Sequence, residues 1–410
     1  MSLIVQKFGG TSVGDIEKIK NVAKKVKKEL DLGNKVIVVV SAMSGVTNKL
    51  VGYANEVSKL MTDQSLAEYD SIVASGEQIT SGLLALTLQS NGYKSRSFLG
   101  WQTPVKTDST HSKARIKEIN GEVLLKSLET HDVIVVAGFQ GVNDKNNRIA
   151  TLGRGGSDTS AVAIAAAVKA DRCDIYTDVE GVFTTDPRIT DKARKLNKIA
   201  YEEMLEMAYS GSKVLQTRSV AMGMAHNVRI RVLSTFSNGS GTILVNNEEI
   251  MERRLITGIS YSKDDARVTL KNMPDVPGLS SNIFGALSKK EINIDMIVQN
   301  ISTDNNAVDI TFTIPKNDID RATETIEAIK NDISYDDLCV DKDVVKISVV
   351  GVGMASNSGV AYTMFKTLSD KGINISLIST SEIKISILID KEYGELAVRT
   401  LHSAYGLDKK

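Results

Sequence analysis

The stretch Leu3-Ile4-Val5-Gln6-Lys7-Phe8-Gly9-Gly10-Thr11-Ser12 is an apolar run of strand length that ends in a glycine pair and two hydroxyl residues. A helical pattern over Ile16–Leu30 follows. A strand that passes into a helix through glycines opens a βαβ unit. The same turn would expose backbone N–H groups and a helix N-terminus to an anion, with Lys7 beside them. It is not a P-loop, because the G-x-x-x-x-G-K-[ST] spacing is absent. A glycine turn with a Thr or Ser cap is also ordinary helix punctuation, so the stretch by itself leaves both readings open.

Outward from it, the same alternation continues to about Val245. Strand candidates are Lys35–Val40, Asp132–Ala137, Cys173–Thr177 and Arg229–Leu233, with helical stretches such as Gln78–Asn91 and Ala161–Ala170 between them. Strands buried on both faces with helical crossovers predict an α/β sandwich around a mostly parallel sheet. A connector rich in Asn and Glu follows at Asn246-Asn247-Glu248-Glu249.

The last third repeats itself. Pro277-Gly278-Leu279, Phe284, Leu287, Ile292-Asn293-Ile294 and Ile297 recur as Ser358-Gly359-Val360, Phe365, Leu368, Ile373-Asn374-Ile375 and Ile378, at a constant offset of 81 residues. A fixed register means two copies of one small domain. The second copy lacks room for a closing strand before Lys410, and an open edge is a liability. Leu255–Ser260 is the expected substitute. The implied division is a catalytic domain over 1–245, a linker and shared strand over 246–262, and repeats over 263–342 and 343–410.

Composition bounds the function classes. In 410 residues, 50 basic side chains balance 50 acidic ones, so no global field favours nucleic acid or an anionic membrane. Apolar runs such as Val36–Val40 are far too short to span a bilayer, and the N-terminus lacks a signal-peptide pattern. A cytoplasmic location is expected. Cys173 and Cys339 match no metal spacing and read as idle thiols. The four histidines, His111, His131, His226 and His402, fall in no motif and receive no role.

Three further stretches carry chemistry. Ser41-Ala42-Met43-Ser44-Gly45-Val46-Thr47 ends a strand, where ligands bind in open α/β sheets, although capping explains the same residues. Gly153-Arg154-Gly155-Gly156-Ser157-Asp158 is glycine-dense, which costs entropy and adds no core, and close approach to a ligand would justify it. There Arg154 offers a planar fork for a carboxylate, and Asp158 could orient a lysine or hold a metal. Thr177-Asp178 through Phe183-Thr184-Thr185-Asp186-Pro187-Arg188 could hold a base and ribose, or be an exposed loop. Two lysines (Lys7, Lys213), a Gly-Gly cradle, an arginine and acidic residues suit phosphoryl transfer, which needs positioning and cations rather than covalent help.

Taken in order, these motifs resemble aspartate kinase, of the amino-acid kinase superfamily, over nearly the whole chain. The resemblance implies ATP and Mg²⁺ as cofactors, with Lys7, Phe8, Gly9 and Gly10 at the phosphates and Thr177, Asp178, Phe183, Arg188 and Lys213 lining the nucleotide site. It implies that Ser41, Thr47, Glu77, Arg154 and Ser157 hold aspartate, with Glu77 on the amino group, and that Lys7, Asp158 and Arg154 are catalytic, Asp158 orienting Lys7. Phe183 stands where many relatives carry Tyr. Val214-Leu215-Gln216-Thr217 departs from the common Val-Leu-His-Pro. No residue is assigned to Mg²⁺.

The repeated tail resembles paired ACT domains, βαββαβ (ferredoxin-like) modules that bind amino acids where two of them meet. The resemblance implies feedback by lysine, threonine or both, and a homodimer through these modules, with a tetramer left open. Candidate effector ligands are Asp275, Gly278, Asp295, Gln299 and Asn300 in the first copy. In the second they are Met354, Gly359, Val360, Asn374, Thr380, Ser381 and Glu382. The implied reaction converts ATP and aspartate to ADP and 4-phospho-L-aspartate, the first step towards lysine, diaminopimelate, threonine and methionine. Two alternatives are a sister kinase acting on glutamate, acetylglutamate or a nucleotide, and a non-catalytic amino-acid sensor. The repeat and Arg154 speak against the first, and intact Lys7, Arg154, Asp158 and Lys213 against the second. Met251-Glu252-Arg253-Arg254 falls where some relatives begin a separate small subunit, so an internal start at Met251 is a further expectation.

Overall fold

The computed structural model describes residues 2–60, 62–103, 105–250, 255–302, 307–354 and 357–409. Met251 to Arg254, and with them the expected internal start, lie outside the described residues.

The chain divides into two units, and the division is not a single cut near residue 245. Unit 1 is Met1–Val182, Lys195–Ala208 and Lys213–Met251. Unit 2 is Phe183–Arg194, Tyr209–Ser212 and Glu252–Lys410. Two short segments of the expected catalytic stretch therefore pack with the repeats.

In unit 1 the strands are β1 (Leu3–Phe8), β2 (Lys35–Val40), β3 (Ser95–Phe98), β4 (Val105–Thr107), β5 (Ile116–Ile119), β6 (Val133–Ala137), β7 (Gln140–Asn143), β8 (Ile149–Thr151), β9 (Arg172–Thr177), β10 (Lys198–Ala200), β11 (Ile230–Ser234) and β12 (Thr242–Val245). Eight of them form one sheet in the order β10-β12-β11-β9-β1-β2-β6-β3. Every pairing in it is parallel except β11 with β12. The helices are α1 (Ile16–Asp31), α2 (Val46–Val57), α3 (Asp63–Val73), α4 (Ser75–Ser90), α5 (Gly121–Leu128), α6 (Gly156–Ala167), α7 (Tyr201–Tyr209) and α8 (Thr217–Ala225). Phe8, Val36, Val38 and Val40 turn one way, into a core with Ile19, Val22, Val26, Leu84 and Leu88 of α1 and α4. The glycine-dense stretch is itself the start of α6, a helix buried from Gly156 to Ala165. Its alanines let it lie flat against the sheet where longer side chains would not fit. A second small sheet, β5-β4-β7-β8, was not evident from strands of three or four residues.

In unit 2, β14 (Asp265–Pro274), α9 (Leu279–Lys289), β15 (Ile297–Ser302), β16 (Ala307–Pro315), α10 (Ile319–Ala328), α11 (Lys330–Ile333) and β17 (Asp337–Asp341) make the first repeat. Its antiparallel sheet runs β15-β16-β14-β17. The second repeat has β18 (Val344–Val350), α12 (Gly359–Ser369), β19 (Leu377–Thr380), β20 (Lys384–Asp390) and α13 (Gly394–Ala404). The edge that β17 closes in the first sheet is closed here by β13 (Gly258–Ser262), which pairs antiparallel with β18 from Gly258↔Val350 to Ser262↔Lys346. The internal offset of 81 is structural. Leu279, Ile283, Leu287 and Ile292 are buried, and so are Val360, Met364, Leu368 and Ile373. Met296, Val344, Leu377 and Leu388 form a small core joining the repeats. Among the described residues no helix is long and apolar enough to cross a membrane.

Candidate active site

The parallel register of unit 1 aligns the strand ends. Gly9 N–H donates to Tyr176 O (3.3 Å), Ser41 N–H to Phe8 O (3.1 Å), Gly138 N–H to Val40 O (3.0 Å) and Thr235 N–H to Thr177 O (2.9 Å). These bonds put the Gly9-Gly10 turn, the Ser41 turn and the Thr177 turn side by side on the C-terminal edge, where ligands of open α/β sheets sit. A Cβ on Gly10 would lie 3.0 Å from Ala42 O, so the turns pack closely there. The turn is fixed further by a buried contact between Ser12 Oγ and Thr235 Oγ1 at 2.6 Å.

Lys7, the penultimate residue of β1, is nearly buried, with its Nζ 2.6 Å from Oδ1 of Asp158 in the first turn of α6. At that separation the contact is a close, nearly buried ion pair. Gly155, in left-handed backbone at φ 68°, caps α6. A Cβ on it would fall 1.9 Å from Cγ of Gln216, so Gln216 packs directly over this loop. Arg154 is exposed on the same loop and Ser157 is buried behind it.

Glu77 lies in the first turn of α4 and is 3% exposed. Its Oε1 accepts the Ala42 N–H at 2.9 Å, and its Oε2 is buried with no partner. Burial pushes this carboxyl up to about 7, against the Ala42 hydrogen bond that favours its charged form. A buried carboxyl with one oxygen unpaired is a candidate for meeting a ligand. Ser41 and Thr47 are half-buried on the neighbouring turn and first turn of α2.

The remaining expected residues are more dispersed. Thr177 donates to its neighbour Asp178 at 3.1 Å, and Asp178 is exposed. Phe183 and Arg188 belong to the 183–194 segment of unit 2, where Arg188 forks onto Asp186. Lys213 is exposed, one residue beyond the 209–212 segment. Phe8 is corrected. Its ring is fully buried and stacked on Tyr176 at 4.6 Å, so only its backbone is available to a nucleotide. The side chains of Met354 and Val360 are in the core of the second repeat, so only their backbone groups could meet an effector. The Asp295 carboxylate is held by Lys346 at 2.5 Å, and Lys346 also meets Asp265 at 3.3 Å. Asp275, Gly278, Gln299, Asn300, Gly359, Asn374, Thr380, Ser381 and Glu382 are all exposed.

Two histidines given no role turn out to be buried hydrogen-bonded groups. His111 Nδ1 lies 2.8 Å from Asp70 Oδ2. His402 Nε2 lies 2.8 Å from Oγ1 of Thr184, on the 183–194 segment, and burial lowers its pKa. Nothing local in the sequence marked either, since both partners are distant along the chain. Cys173 is buried and its thiol pKa is pushed up by burial, which leaves it inert.

Residues 2–234 match the amino acid kinase family, and residues 269–328 and 347–405 each match the ACT domain. The chain is 50% identical to the aspartate kinase of Pseudomonas putida over 410 residues, covering 100% of this chain and 98% of that protein. It is 46% identical to an aspartokinase of Helicobacter pylori over 412 residues, covering 99% and 100%. Among solved structures it resembles E. coli aspartokinase III in complex with aspartate and ADP (R-state). That match has a TM-score of 0.82 and 25% identity, over 98% of this chain and 99% of that one. The same E. coli protein in complex with lysine and aspartate (T-state) gives a TM-score of 0.76 at 25% identity, over 98% and 99%.

Proposed function

The chain belongs to the aspartate kinases of the amino acid kinase family, and from that premise we propose that it phosphorylates the side-chain carboxylate of aspartate with ATP and is inhibited by lysine, alone or with threonine, through its ACT repeats. The observation that carries the reaction is the Lys7–Asp158 ion pair beside the Gly9-Gly10 turn, an ammonium fixed where a phosphate would lie.

In this reading a carboxylate oxygen of aspartate attacks the γ-phosphorus of ATP. The new bond is P–O to the carboxylate, the bond broken joins the γ-phosphorus to the β,γ-bridging oxygen, and ADP leaves. No proton moves, because the nucleophile is already ionised at neutral pH. Catalysis is then positioning and charge stabilisation. Lys7 neutralises charge on the transferring group while Asp158 keeps its stem in place. The N–H groups of Gly9 and Gly10 meet the phosphates, and Thr177, Asp178, Phe183, Arg188 and Lys213 hold the rest of the nucleotide. Glu77 Oε2 receives the ammonium of aspartate, and Arg154 forks onto a carboxylate with Ser41, Thr47 and Ser157 around it. Among the described residues no group of three or more acidic, histidine or cysteine side chains forms a metal cage. Mg²⁺ would be carried in on the phosphates and would neutralise their charge.

The E. coli relative is described with ADP, aspartate and lysine, which supports these ligands here. Effector sites would form where ACT modules of two copies meet, so a homodimer is part of the reading. Inhibition requires that lysine bind one conformational state better than the other. The product, 4-phospho-L-aspartate, would feed lysine, diaminopimelate, threonine and methionine synthesis in the cytoplasm.

The test is an acyl-phosphate assay with Mg-ATP and hydroxylamine, offering aspartate, glutamate or acetylglutamate, each with and without lysine and threonine. Hydroxamate from aspartate alone, suppressed by lysine, is the expected result. Hydroxamate from glutamate or acetylglutamate in preference to aspartate would overturn the reading.

A further inference from the structure

We infer that Asp70 is a positioning residue for aspartate binding, whose buried carboxylate locks the Arg154 loop to the helix pair that carries Glu77. The inference rests on the proposed roles of Glu77 and Arg154.

Asp70 lies on the inner face of α3 and is 0% exposed. An ionised carboxylate at such a place is costly unless its lone pairs are filled. Here they are filled from two other parts of the chain. Thr151 Oγ1 donates to Oδ1 at 2.5 Å, His111 Nδ1 meets Oδ2 at 2.8 Å, and the Ser112 N–H reaches both oxygens at 3.1 Å. Ser112 adopts left-handed backbone at φ 64°, a conformation that is unfavourable for a non-glycine residue. Its N–H bond to Asp70 holds it there.

Each partner leads to the site. Thr151 ends β8, and Leu152-Gly153-Arg154 follows immediately. Gly153 rests on the turn that Asp70 holds, since a Cβ there would lie 3.3 Å from Ser112 O. The Ala114 N–H donates to Thr151 O at 2.9 Å, and Arg218 clamps Leu152 O and Ala114 O at 2.5 and 3.0 Å. On the other side, α3 passes into α4 through Ala74, whose N–H donates to Asp70 O. Ala74 O in turn accepts Gln140 Nε2 at 3.0 Å. Glu77 is two turns along from Asp70, and Gly76 between them abuts Ala42, the residue whose N–H Glu77 accepts. One carboxylate therefore sets the spacing between the proposed ammonium acceptor and the proposed carboxylate fork. Displacing such a pair by about 1 Å costs on the order of 10²-fold in a well-oriented site.

The experiment uses the full-length chain and three variants: Thr151→Val, which removes the hydroxyl and keeps the shape, Thr151→Ser, which restores it, and Asp70→Asn. Aspartate binding is read by titration calorimetry, and KM for aspartate and for ATP by the hydroxamate assay. Thr151→Val and Asp70→Asn should weaken aspartate about tenfold and leave KM for ATP within twofold, with Thr151→Ser close to wild type. A merely structural role would lower the melting temperature and the active fraction without separating the two KM values. Unchanged aspartate affinity in Thr151→Val, or equal shifts for both substrates, would overturn the inference even if Asp70→Asn does not fold. A wild-type chain that binds no aspartate would overturn the site reading as well, which separates the two failures.

Discussion

Glu77 shows how one side chain links burial, charge and pH. Its carboxyl titrates near 7 in the folded chain and near 4.5 when unfolded, because burial opposes the anion more than the Ala42 hydrogen bond favours it. The folded state therefore binds more protons between those values. The stability this group lends is full below about 4.5 and lost as pH rises towards 7, on the order of 3 kcal/mol at most. Aspartate binding runs the other way, since an ammonium is held by the ionised form. We expect log kcat/KM for aspartate to rise with unit slope up to about pH 7 and then level off. Glu77→Gln should remove the inflection and most of the affinity. A wild-type profile flat from pH 5.5 to 8 would rule out Glu77 as the ammonium partner.

At the scale of elements, β13 has the most distinctive position. It precedes the first repeat in sequence yet completes the sheet of the second, taking the place that β17 holds in the other sheet. Ile259 on β13 is 1% exposed in the core with Val349, Ile387 and Leu401, and its N–H donates to Thr184 O at 2.8 Å. Ile259→Lys should cost on the order of 3 kcal/mol or more, because it buries an unpaired charge in that core. Calorimetry of the full chain should show a lower melting transition, and an unchanged one would mean that β13 is dispensable. That the second repeat needed a strand from elsewhere was legible by counting elements before Lys410. The strand lies two to three residues further on than the apolar pattern placed it. The short sheet β5-β4-β7-β8 was not legible, since strands of three or four residues give no period to read.

For the whole molecule, the division into units makes a prediction about fragments. Residues 183–194 and 209–212 group with the repeats. The first is held there by Thr184 to His402 at 2.8 Å and by Arg194 Nε to Leu407 O at 2.6 Å. At Gly211 a Cβ would lie 2.8 Å from Tyr261 O, and the Tyr209 ring lies 5.3 Å from Lys384 Nζ. A fragment of residues 1–250 loses all of these partners. It should retain the cooperative core of unit 1, and limited proteolysis should cut it within residues 183–194 and 209–212, which the full chain protects. Equal protection in fragment and full chain would show that the repeats contribute nothing to those segments.

The sequence by itself determined the strand-to-helix order, the duplication at an offset of 81, and the set of residue types suited to phosphoryl transfer. These follow from local pattern, because period, glycine placement and spacing are written along the chain. Only tertiary structure decided which groups share an environment. It buried Phe8, Met354 and Val360, engaged Asp295 with Lys346, and gave Asp70, His111 and His402 partners between 41 and 218 residues away. The physical reason is that burial and hydrogen bonding depend on which surfaces meet, and residues so far apart are brought together by packing rather than by spacing.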